Sequence, residues 1–135
     1  MPHDRPVPGS AEDWLARAKG DLAIAQAPLP DGAFYEDLCF HAQQAAEKAL
    51  KAVYRLHDRK FRYTHDLEEL ISGLLKMGLD VPSEVVEADV LTSFAWDARY
   101  PGLSEPVSEE EYLEALQQAE TVVDWAENEI HRFSG

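Results

Sequence analysis

Between Phe34 and Leu56 the chain reads FYEDLCFHAQQAAEKALKAVYRL, with neither glycine nor proline. Apolar residues recur there at Phe34, Leu38, Ala42, Ala45, Ala49, Ala52, Val53 and Leu56, the three- and four-residue steps that build one face of an α-helix. Cys39, Ala46, Leu50 and Tyr54 form a second apolar line, which leaves Gln44, Lys48, Lys51 and Arg55 as a narrow polar strip. A helix that is apolar over most of its circumference has to be covered on several sides. The stretch therefore predicts a central helix with the other elements around it, and with Leu38, Ala45, Ala49 and Val53 largely buried.

The flanking segments supply those elements. Residues 1–10, rich in proline, read as a loose leader, and residues 11–133 as a single helical domain. Ser10 can cap a first helix that carries Glu12 and Asp13 in its first turn and buries Trp14, Leu15, Ala18, Leu22 and Ala25. Pro28 to Gly32 makes the turn into the central helix. Thr64 reads as the N-cap of a third helix with Leu67, Leu70, Ile71, Leu74 and Leu75 inside and Gly78 at its end. Pro82 and Ser83 open a fourth, with a core stripe of Val86, Val90, Leu91 and Phe94, that stops at Tyr100-Pro101-Gly102. Ser108 and Glu111 form a capping box for the last helix, whose seam is Tyr112, Leu116, Ala119, Val123, Ala126 and Ile130. No sustained period-two alternation occurs. The expected fold is all-α, an up-and-down antiparallel bundle of about four long helices plus a short one.

Composition narrows the function. One cysteine, Cys39, allows no internal disulfide, and no apolar run approaches the roughly 20 residues that span a bilayer, so a soluble cytoplasmic protein is expected. A net charge of −14 argues against broad affinity for a polyanion. Yet Lys48, Lys51, Arg55, Arg59, Lys60 and Arg62 concentrate half of the twelve basic residues in one stretch. Beside them lies the expected helix start at Thr64 and His65, whose free amides suit an anion. Arg59, Lys60, Arg62, Thr64 and His65 are therefore the candidate nucleotide- or phosphate-binding residues. Gln43 and Gln44 read as surface or interface contacts. His3, His41, His57 and His131 lack metal-ligand spacing, and neither a metal nor a cofactor is expected.

The run HAQQAAEKALKAVY, followed by THDLEEL and then by ARYPG ahead of an acidic final helix, resembles the HEPN domain of bacteria and archaea. The resemblance covers nearly the whole chain after the leader. It implies a helical bundle, usually a homodimer, often encoded beside a minimal nucleotidyltransferase as a two-component toxin and antitoxin pair. Many members are metal-independent ribonucleases, with an arginine followed four to six residues later by a histidine where the last helix begins. The imidazole moves a proton and the guanidinium holds the phosphate. Here the corresponding arginine is Arg99, and Tyr100 to Pro106 contains no histidine. Arg99 and Tyr100 are thus candidates for a degenerate centre. Arg59 and His65, with five residues between them, meet the spacing elsewhere. Three functions follow: an interaction protein with a nucleotidyltransferase partner, an active ribonuclease, and a module that binds a nucleotide or phosphate.

Overall fold

A computed structural model of the chain describes residues 5–95 and 106–134. Helix α1 spans Ala11–Ala25, capped by Ser10, whose hydroxyl accepts from the Asp13 amide at 3.1 Å. Helix α2 spans Tyr35–Leu56, and the Asp37 carboxylate satisfies the Phe34 amide at its start. Gly32, at φ +83°, makes the turn between them, a conformation that favours glycine. Helix α5 spans Glu109–Ser134, and the Ser108 and Glu111 capping box forms as its spacing implies.

Contacts at the two ends of α2 fix the topology. Tyr35 stacks on Tyr112 at one end, and His57 packs edge-on against Phe133 at the other, so α2 and α5 run parallel. Gln26 bonds Glu120 while Lys19 pairs with Glu127, which makes α1 antiparallel to α5. Helix α2 is the central element, and Leu38, Ala45, Ala49 and Val53 are buried as expected. Its buried alanines leave room for neighbouring backbones to approach closely. The overhanging ends depart from the expectation: Phe34 is exposed and Leu56 only half-buried.

The third side of α2 is closed by shorter pieces. Helix α3 spans Leu67–Lys76, helix α4 Ser83–Val86, and a 3₁₀ segment follows over Glu87–Ala95. The α3 cap is Asp66, not Thr64; Asp66 accepts from the Glu68 amide, and the Thr64 hydroxyl accepts from the Asp66 amide. The fourth helix is likewise not one α-helix. Val85, Ala88 and Leu91 are buried at steps of three, the period of a 3₁₀ turn, which rotates Val90 out to 59% exposure. Among the described residues there is no strand, and no helix is long and apolar enough to cross a membrane.

Gly73 shows how tightly α3 lies on α2. The Tyr54 hydroxyl donates to the Leu70 carbonyl at 2.7 Å, and a Cβ on Gly73 would stand 2.0 Å from that hydroxyl and 3.1 Å from Cζ. Gly73→Ala is expected to destabilise by about 1–3 kcal/mol through overpacking, although alanine favours a helix. Tyr54→Phe removes the closest atom, so the double variant should lose clearly less than the sum of the single losses. Additive losses in urea titrations of the four proteins would refute the contact.

Candidate functional site

Two polar clusters hang from α2. The inner one begins with Glu47, buried to 3% exposure, where an unpaired carboxylate would be severely penalised. Lys51, one turn later and also buried, donates to Glu47 Oε2 at 2.9 Å. Its ammonium lies 5.2–5.8 Å from the ring centres of Trp14, Phe61 and Tyr63, close enough for attraction to their faces. His65 Nδ1 stands 2.9 Å from Glu47 Oε1. One turn before Glu47, the Gln43 amide donates both to that oxygen and to the His65 carbonyl, while its own oxygen accepts from Gln44. Both carboxylate oxygens are engaged. The cluster therefore ties the segment between α2 and α3 to α2 and to Trp14 of α1.

The second cluster bridges α1 and α2 nearer the surface. Asp21, on the buried side of α1, places one oxygen 2.9 Å from His41 Nδ1 and the other 2.5 Å from Lys48 Nζ. A carboxylate on Nδ1 favours the tautomer with its proton there. The His41 side chain is 32% exposed. Cys39 offers no third reactive group. It is wholly buried, and that burial, with Glu36 and Glu111 nearby, pushes its thiol up to about 12.

The candidate anion-binding residues separate. Lys60 and Arg62, with Lys76, Tyr54 and Phe61, line an open cleft of ≈ 560 Å³, but Asp66, Glu68 and Glu69 line it too. Arg62 reaches Glu69 at 3.4 Å. Arg59 is exposed, Thr64 turns to the Asp66 amide, and His65 turns to Glu47. Two amides at the start of α3 are already engaged, Leu67 by the Thr92 hydroxyl and Glu68 by Asp66. Arg99 and Tyr100 lie outside the described residues. Among the described residues no three His, Cys, Asp or Glu side chains converge as a metal site.

Sequence reasoning misses both clusters as units. Gln43, Glu47 and Lys51 do stand at successive four-residue steps, a signal for mutual contact on one helical face. That Asp21 meets His41, or Glu47 meets His65, depends on how separate elements pack.

Comparison with known proteins follows the same outline. The HEPN domain model matches residues 11–129. A solved structure from Thermus thermophilus superposes with a TM-score of 0.77 at 33% identity, over 89% of this chain and 98% of that one. An archaeal HEPN homologue gives a TM-score of 0.71 at 26% identity, over 90% of this chain and 98% of its own. No curated protein matches.

Proposed function

This chain belongs to the HEPN domain family, and on that premise we propose that it is an interaction module, a homodimer that partners a minimal nucleotidyltransferase in a toxin and antitoxin type pair. In this reading the ribonuclease centre is degenerate. The observation that carries it is the stretch after Arg99, where no histidine occurs through Pro106. An arginine alone can hold a phosphate, but the chemistry also needs a group that exchanges a proton near neutral pH. Ser104 and Glu105 are poor substitutes, and the negative charge of a glutamate would repel a scissile phosphate. The packing of His65 against Glu47 further supports a structural role for that imidazole.

Labelled single-stranded RNA incubated with the protein and a chelator should stay intact, with the parent and with Arg99→Ala alike. Cleavage by the parent that Arg99→Ala abolishes would reinstate the ribonuclease reading. Co-expression with a minimal nucleotidyltransferase from the same locus should yield a stable complex, and separate elution of the two proteins would sink the partnership.

A nucleotide-binding reading is favoured by one feature, the placement of Lys60, Arg62 and Lys76 around a single cleft. Three carboxylates on the same cleft oppose it. Calorimetry with ATP, AMP and phosphate at low ionic strength should therefore show at most weak heats that fade with salt. A salt-resistant signal lost in Arg62→Ala would reverse that order.

A further inference from the structure

At one end of the bundle three helix termini meet. The Tyr112 hydroxyl donates to the Ala25 carbonyl, Tyr35 stacks on Tyr112, and the Val107 amide donates to Glu36, so the end of α1 and the starts of α2 and α5 form one surface. Large apolar side chains stand exposed around this junction: Phe34 at 65%, Leu113 at 54%, Ile24 at 48% and Leu29 at 37%. Exposed carboxylates of Asp31, Glu109, Glu110 and Glu114 accompany them. The sequence holds no lysine or arginine from Gly20 to Glu47, nor from Pro106 to His131. Basic residues gather instead at the far end, where His57 meets Phe133 and where Arg55, Arg59 and Arg132 lie.

We infer that the Phe34 and Leu113 end docks a basic polypeptide surface, one that presents apolar side chains framed by lysine and arginine. This inference rests on the interaction-module reading and specifies the partner's chemistry. Apolar groups supply the contact area, and complementary charge supplies orientation and rate of encounter. A second copy is a poor occupant. Two-fold pairing through this face would set like carboxylates opposite one another, with no lysine or arginine among the described residues of the face to offset them, and head-to-tail pairing with the basic end would build a ring or an open filament instead of a two-fold dimer.

The probe is a synthetic amphipathic peptide of leucine and lysine, titrated into the full chain by calorimetry at low and moderate salt. Phe34→Ser with Leu113→Ser should weaken binding about tenfold or more, the loss expected when central apolar anchors are removed. Glu110→Gln with Glu114→Gln should weaken it and flatten the salt dependence, whereas the equally charged change Glu68→Gln with Glu84→Gln should leave it nearly intact. Circular dichroism confirms that each variant is folded. Equal losses in the two glutamate pairs would mean attraction to overall charge alone and would overturn the proposal. So would unchanged binding in the serine pair, or self-association of the parent abolished by that pair. Because the probe is not a nucleotidyltransferase, a failed co-purification with that enzyme leaves this result standing. Failure here beside an intact enzyme complex would move the docking face elsewhere.

Discussion

Lys51→Met is expected to destabilise the protein by about 3–5 kcal/mol, the range for breaking a buried pair by removing one partner. The loss is not the value of the Lys51 and Glu47 attraction by itself. Methionine leaves the buried Glu47 carboxylate with His65 and Gln43 on one oxygen and, among the described residues, no cation on the other. The methionine side chain also forfeits the cation's attraction to Trp14, Phe61 and Tyr63, although it still fills most of the space between them. Removing both charges should be milder, since Glu47→Leu with Lys51→Met leaves no buried carboxylate, so the double variant should be more stable than Lys51→Met. Guanidinium unfolding of the three proteins measures this. A single-variant loss below about 1 kcal/mol would mean that His65 and Gln43 alone compensate Glu47.

This pair also marks where the sequence ceases to be legible. Lys51 belongs by spacing to the polar strip of α2, with Gln44, Lys48 and Arg55, and a charged residue there reads as solvated. It is buried because α2 is covered on that side as well, by Trp14 from α1 and by Phe61 from the connection to α3. Spacing reports which residues share a face and is silent on which faces the connections cover. Helices α1 and α5 are legible because their caps and apolar seams agree, as at Ser10 and at Ser108 with Glu111, and α2 because its apolar lines run unbroken without glycine or proline. The segment after Pro82 is not, because steps of three and of four both fit its short apolar run, and packing selects the 3₁₀ solution. The proposed anion site shows the same division. Its basic residues are legible, but the two acceptors that occupy the α3 amides, Asp66 and Thr92, are placed by the capping turn and by the 3₁₀ segment.

The second large effect should come from Leu50→Ala, at about 2–5 kcal/mol and toward the upper part of that range. Leu50 is fully buried near the middle of α2. The cost of such a truncation has a transfer part and a cavity part, and the cavity part depends on whether neighbours can collapse into the space. Around α2 they are poorly equipped to do so. Ala42, Ala45, Ala46, Ala49 and Ala52 are buried with no side-chain freedom, and closely approached helix backbones do not move for one lost isobutyl group. Val90→Ala is the matched test of how the 3₁₀ segment is turned. A continuous α-helix from Ser83 would bury Val90 and give a loss of a kilocalorie or more, on the order of a lost core valine. At 59% exposure the substitution should instead fall within about ±0.5 kcal/mol. Thermal and urea unfolding of both variants decides the point: a Val90→Ala loss that approaches the Leu50→Ala loss would restore the continuous helix and overturn the 3₁₀ packing.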